Sequence, residues 1–271
     1  MPSAALVTPG DNRSPVLIHV PHASRVITPD VRADLLLTEA ELAAELDEST
    51  DTATDEIAAA ALRHTLRRPT VVVNMLSRLV IDPERFPDAG EPAHTFGRGA
   101  VYTRTCTGTR LRPEPYPRAT ELIEAHFRPY ADAVTAAVDD RLDTCGRAVI
   151  IDLHSYPENP SGFEDPAAAR PALCIGTDPD HTPDWLLDAT RGAFASLTEL
   201  DQIAENTPYS GCYVPLRHYR HNERVVSVMI EVRRDVYLTK PRTPDAARVD
   251  RLGGALATLI DEITTRVAAD E

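Results

Sequence analysis

Two stretches decide the fold: PVLIHVPH (residues 15–22) and AVIIDLHS (residues 148–155). Each is a short apolar run without polar alternation, the pattern of a strand buried on both faces of a sheet. Each leads into a histidine, His22 and His154. Ligands of open α/β sheets bind in the crevice at the carboxyl ends of the strands. A histidine placed just past such a strand therefore faces a site and not the core. Working outward, the Val- and Ile-rich runs predict strands at 16–20, 70–74, 79–82, 148–153, 172–176 and 225–232. Apolar residues at three- and four-residue spacing predict helices at about 38–48, 51–66, 117–143, 183–198 and 243–268. Strands alternating with helices indicate an α/β protein with a mostly parallel mixed sheet covered on both faces, a three-layer α/β/α arrangement. No linker, composition shift or repeat divides residues 1–271, so one domain is expected.

The length of 271 residues suffices for a full core. A formal net charge of −14 argues against nucleic acid, whose binding rests on clustered Lys and Arg. An anionic small substrate must then be met by a local arginine. No run has the length of a membrane span, and the opening MPSAALVTPGDNRSP lacks a basic region followed by an apolar stretch. The cysteines Cys106, Cys145, Cys174 and Cys212 are scattered and read as free thiols. A cytoplasmic location is expected, with neither membrane nor nucleic acid as partner.

Between the regular elements, Pro83–Pro117 is rich in proline and glycine, and a second irregular stretch, Tyr156–Pro171, follows His154 directly. Connections this long in a compact domain are either lids and binding loops or disordered excursions. Two of them beside the sheet's carboxyl edge could wall a pocket.

A hydrolytic zinc site needs three protein ligands and an open position for water. His22 and His154 supply two imidazoles, although each alone also fits a structural histidine. Asp47, Asp51 and Asp55 follow at four-residue spacing, one face if the helix is continuous. A cation would relieve their repulsion; alternatively, Asp51 caps the following helix. Glu231, set among Val and Ile, is costly to bury unless paired, liganded or tuned for proton transfer, and Arg233 is one available partner. Asp152 points away from Leu153 and could orient an imidazole. Arg78 could grip a carboxylate with its planar fork or pair with Asp82. Asn74 opens the same segment, and the turn-rich Thr207–Pro215 carries Tyr213, which either closes over a substrate or lies on the surface. The chain contains no GxSxG elbow, Walker A loop, dinucleotide fingerprint or HExxH.

The segments VPHASRVITP (20–29), Asp51-xxx-Asp55, NMLSRLVIDPERF (74–86), DLHSYP (152–157), TPYSGCYVP (207–215) and IEVRRDVYL (230–238) together resemble the N-formylglutamate amidohydrolase family. They span most of the chain in the family's order; Ala23-Ser24 stands where the family often has Ser-Gly, and Thr52 where an aromatic is common. The resemblance implies a phosphorylase/hydrolase-like α/β/α fold, similar to zinc carboxypeptidases and aspartoacylase. It implies one Zn2+ held by His22, His154 and a carboxylate taken as Asp51, with Glu231 as general base. It also implies Arg78 as the clamp on the substrate's carboxylate. Beside these, Asn74 and Tyr213 are expected to contact the substrate, and Asp55, Asp82 and Asp152 to stand behind the ligands. The expected substrate is a small acidic N-acyl amino acid such as N-formyl-L-glutamate. The rivals are a zinc carboxypeptidase or cell-wall amidase on the same fold, and a metal- or ligand-binding protein without turnover.

Overall fold

In the computed structural model, which describes residues 4–88, 90–195, 197, 202–239 and 243–269, the apolar runs pair into one sheet. Its strands are β1 (Ala5–Thr8), β2 (Val16–Val20), β3 (Thr70–Asn74), β4 (Ala148–Tyr156), β5 (Leu173–Gly176), β6 (Ile203–Glu205) and β7 (Val225–Arg233), in the order β1-β3-β2-β4-β7-β5-β6. The pairs β3–β2, β2–β4, β4–β7 and β5–β6 are parallel, and β1–β3 and β7–β5 antiparallel. Every residue of β2 and β4 is buried, as their unbroken apolar sequences require. A short hairpin of β8 (Leu238–Thr239) and β9 (Thr243–Pro244) stands apart from the sheet.

The helices are α1 (Pro29–Asp34), α2 (Glu39–Ser49), α3 (Thr54–His64), α4 (Ala119–Leu122), α5 (Arg128–Cys145), α6 (Asp184–Phe194) and α7 (Ala246–Ala269). One sheet face packs Val16, Ile18, Ile151, Leu153, Val228 and Ile230 against α3, α6 and α7. The other packs Leu17, Val72 and Ile150 against Val134 and Val138 of α5. The expected three layers are therefore present.

Several boundaries differ from the sequence reading, each for a local reason. Residues 79–82 form no strand. Leu79, Val80 and Ile81 are buried, but the backbone turns on Ser77, whose carbonyl accepts from Val80 and whose hydroxyl accepts from Leu79. Apolar content there serves burial and not a ladder. The 51–66 helix begins only at Thr54, because Ala53 takes the left-handed conformation (φ 64°). The 117–143 helix contains a π-type turn at Ile123–Phe127 between α4 and α5. The 183–198 helix ends at Phe194, with Ser196 and Thr198 outside the described residues. Strands β1 and β6 and helix α1 carried no strong pattern. The two strands lie at the sheet's edges, are short and mostly unburied, and owe their form to pairing.

Gly253 lets α7 lie directly on α3: a Cβ there would strike the Ala60 side chain and sit 2.9 Å from the backbone of Ala60 and Ala61. At Gly254, by contrast, a Cβ meets nothing within 4 Å. Gly253→Ala is therefore expected to lower unfolding free energy by about 1–3 kcal/mol through overpacking. Gly254→Ala should raise it by up to about 1 kcal/mol through helix propensity. Urea denaturation of the two variants checks the pair; equal effects would contradict this helix contact.

The sheet's two faces differ toward the carboxyl ends. On the α7 side the strands stay apolar throughout, as Val149-Ile151-Leu153 and Val226-Val228-Ile230-Val232 show. On the α5 side the alternation runs Leu17-His19 in β2, Ile150-Asp152-His154 in β4 and Ser227-Met229-Glu231 in β7. The parallel register sets His19 beside Asp152 and His154 beside Glu231. Strand period alone thus gathers four titratable side chains on one face at one edge.

Candidate active site

His22 lies two residues beyond β2, whereas His154 is still within β4, which continues to Tyr156. Asp51 reaches them because the chain breaks between α2 and α3. Its backbone N–H donates to the His22 carbonyl (3.0 Å), and its buried carboxylate lies 3.0 Å from His154 Nδ1. Capping is not its role, since the α3 N-cap position is Ala53, without a side-chain cap. The expected single acidic face is not formed. Asp47 is exposed and pairs with Arg25 (2.9 Å), and Asp55, expected close behind the ligands, is exposed on the first turn of α3.

Three donor atoms converge: His22 Nδ1 and His154 Nδ1 are 3.3 Å apart, and Asp51 Oδ2 is 3.7 and 3.0 Å from them. The far nitrogens face carboxylates. His22 Nε2 is 3.0 Å from Asp82 Oδ1, and His154 Nε2 is 3.0 Å from Asp152 Oδ1 and 3.2 Å from Glu84 Oε1. With the protons on Nε2, each imidazole donates outward and turns its Nδ1 lone pair toward Asp51. Three acceptors facing one another in a buried place need a cation or extra protons between them. A tetrahedral ion with bonds of about 2.0–2.1 Å has ligand atoms roughly 3.3 Å apart. The observed separations of 3.0, 3.3 and 3.7 Å fit such a group. Two further donor groupings, His22–Asp82–Glu84 and His19–Glu84–Asp152, lie on the outer side.

The charges follow from this packing. Burial opposes ionisation of Asp51, but hydrogen bonds from His154 and His22 outweigh it and hold the carboxyl well below its usual range. Burial likewise opposes a charged His154, yet Glu84, Asp152 and Asp51 raise it well above an ordinary imidazole. At His22, burial and Arg78 work downward, and Asp82, Glu84 and Asp51 prevail. Glu231 goes the other way. Burial, reinforced by the charges of Asp51 and Glu84 against those of His154 and Arg78, pushes it up to about 8. Its Oε2 is buried without a hydrogen-bond partner among the described residues. Arg233, one possible partner in the sequence, pairs with Asp235 (2.7 Å).

A cavity of about 1060 Å³ opens over this cluster, and His22, Asp51, Arg78, His154, Tyr213 and Glu231 line it. Parts of both long irregular segments form its walls, together with residues 208–217. Arg78 donates through Nη2 to Asp82 Oδ2 (2.9 Å) and through Nε to Tyr102 (3.1 Å), leaving Nη1 at 3.9 Å from Asp51. The pair with Asp82 anticipated in the sequence is thus present, and the guanidinium still lines the cavity. Tyr213 stacks on His19 at 4.3 Å between ring centroids and donates its backbone N–H to Asp152 (3.0 Å). Asn74 is the exception. Its side chain bonds the Pro21 carbonyl and the Leu76 N–H, joining two strand ends, and it is not part of the cavity wall.

Four participants were not singled out in the sequence. Glu84 and Arg85 follow Asp82 after a single proline, Pro83, in a stretch read as loop. Arg85 lines the cavity, with its Nε buried and without a hydrogen-bond partner among the described residues. His19 sits within a predicted strand, where its alternation with Leu17 was the available signal. Arg234 joins the last carbonyls of α2, Asp47 (3.1 Å) and Glu48 (2.9 Å), to Asp51 Oδ1 (3.4 Å) and the Ser155 carbonyl (3.3 Å). It thereby fixes the position of Asp51, and only the distant approach of β7 to α2 makes that visible.

A mixed, mostly parallel sheet between helical layers, with this cluster at its carboxyl edge, defines an α/β protein of hydrolase-like fold. Residues 14–238 match the family model described as N-formylglutamate amidohydrolase. The chain belongs to the N-formylglutamate amidohydrolase family. Its fold is similar to that of the N-formylglutamate amidohydrolase from Ralstonia eutropha JMP134, with a TM-score of 0.78, 20% identity and coverage of 99% of this chain and 100% of that one. It is also similar to the gene product Atu2144 from Agrobacterium tumefaciens, with a TM-score of 0.68, 20% identity and coverage of 99% and 96%. No curated protein matches the chain.

Proposed function

We propose that the chain is a zinc-dependent amidohydrolase that removes the N-formyl group from an acidic amino acid such as N-formyl-L-glutamate, giving formate and glutamate. The observation that carries this reading is the convergence of His22, Asp51 and His154 beside a buried glutamate, in a cavity that also presents arginine. Zinc, when held by those three side chains, supplies Lewis acidity toward the amide oxygen and toward water. Glu231 takes the proton of the attacking water on its unpartnered Oε2 and delivers it to the leaving amine nitrogen. Asp82, Asp152 and Glu84 hold the imidazoles in one tautomer, so that both Nδ1 lone pairs stay directed inward. Arg78, fixed by Asp82 and Tyr102, and the adjacent Arg85 meet the substrate's carboxylates and orient the amide at the cluster. The cysteines are free thiols, which supports a cytoplasmic setting. Among the described residues no helix is long and apolar enough to cross a membrane.

Formate release from N-formyl-L-glutamate, measured with and without a chelator, tests the reading. Activity lost on chelation and restored by zinc is expected; full activity in chelator would overturn the metal assignment. Arg78→Lys keeps the charge but loses the fork. It should raise KM for N-formylglutamate roughly tenfold to a hundredfold, the value of a lost charged hydrogen bond. Turnover of N-formylglycine amide, poor at the outset, should change little. Equal effects on the two substrates would remove Arg78 from carboxylate recognition.

A further inference from the structure

The cavity is larger than the proposed substrate requires. Its volume of about 1060 Å³ stands at the top of the range, roughly 300–1,000 Å³, that encloses a drug-sized molecule. N-formylglutamate is one amino acid bearing a single extra carbon. The surplus space has a distinct chemistry. Phe86, Phe96 and Phe163 line the cavity and are 40%, 56% and 41% exposed. Clustered exposed aromatics of this kind mark a binding surface more often than padding. Phe96 and Phe163 come from the two separate long loops and meet with ring centroids 5.9 Å apart. The loops are joined there by the Gly162 N–H donating to the Cys106 carbonyl (2.9 Å). The aromatic pair is thus a constructed part of the wall.

Resting on the amidohydrolase reading above, we infer that the chain also hydrolyses N-acyl acidic amino acids whose acyl group is aromatic, with the Phe96–Phe163 pair receiving the ring. The amino-acid half carries the carboxylates and is drawn to Arg78, which lies 3.9 Å from Asp51 at the cavity floor. The acyl half, across the amide from those carboxylates, is the part left to meet the aromatic wall of the same cavity. The chemistry is unchanged: the acyl C–N bond breaks, water's oxygen joins the acyl carbon to give a carboxylate, and both of water's protons end on the leaving amine, which departs as an ammonium.

The test compares N-formyl-L-glutamate with N-phenylacetyl-L-glutamate on the purified, zinc-loaded chain, using wild type and the double variant Phe96→Ala/Phe163→Ala. Wild type should cleave both. The double variant, altered only at exposed positions, should lose about tenfold or more in kcat/KM on the phenylacetyl substrate, mainly through KM. It should stay within about twofold of wild type on the formyl substrate. Cleavage of the formyl substrate without the phenylacetyl one, or equal losses on both in the variant, overturns the inference and leaves the amidohydrolase reading standing. Cleavage of neither by wild type overturns that reading, and this inference with it.

Discussion

His154→Ala and Asp51→Ala each bring bound zinc from about one ion per chain to background and abolish turnover, whereas Asp55→Ala retains both. The contrast follows from geometry. Asp51 Oδ2 lies 3.0 Å from His154 Nδ1, while Asp55 faces solvent on α3. Metal analysis after dialysis, with circular dichroism as a check on folding, reads the outcome. Retention of zinc by both ligand variants would refute the assignment, and loss in Asp55→Ala would redirect it. The same cluster fixes the pH dependence of metal retention. Despite burial, neighbouring carboxylates raise His22 and His154 above ordinary imidazoles. Protons therefore compete for the Nδ1 positions at higher pH than in free histidine, whose pKa is about 6.5. Zinc retention should fall as pH falls, beginning above that value. A pH-independent affinity would show that the imidazoles are not ligands.

Glu231→Gln lowers kcat by roughly a hundred- to ten-thousand-fold, the usual contribution of a general base, while zinc content and substrate affinity stay close to wild type. Glutamine keeps the size of the side chain but cannot accept the proton. Burial first, then the nearby charges of Asp51 and Glu84, push Glu231 up to about 8. A raised carboxyl gains its basic form only as pH rises through that higher value. The acid limb of kcat/KM should therefore lie above the ordinary glutamate pKa of about 4.3, with a cation at the cluster drawing it down from about 8. Residual Glu231→Gln activity should lack the limb. A variant with near-normal kcat would make Glu231 a buried structural carboxyl and leave the base to be sought elsewhere.

What was legible in the sequence is what strand chemistry dictates locally. Unbroken apolar runs imply strands buried on both faces, and β2, β4 and β7 are such strands. Alternation assigned Asp152 to the face opposite Leu153; in the structure the same period carries His154, within β4, and Glu231, within β7, to that face as well. Even so, the sequence could not choose among Asp47, Asp51 and Asp55. That choice depends on Ala53 interrupting the helix and on Arg234, from a distant strand end, holding Asp51 in place. Nor could it assign Asn74, whose amide is used by two backbone neighbours. The edge strands β1 and β6 were illegible because their stabilisation comes from partners far along the chain. The sequence by itself determined the buried parallel strands and the polar residues at their carboxyl ends, because burial and alternation are written in consecutive residues. Tertiary structure decided which carboxylates meet which imidazoles and how large the cavity is. Those depend on distances between side chains that the chain's order does not encode.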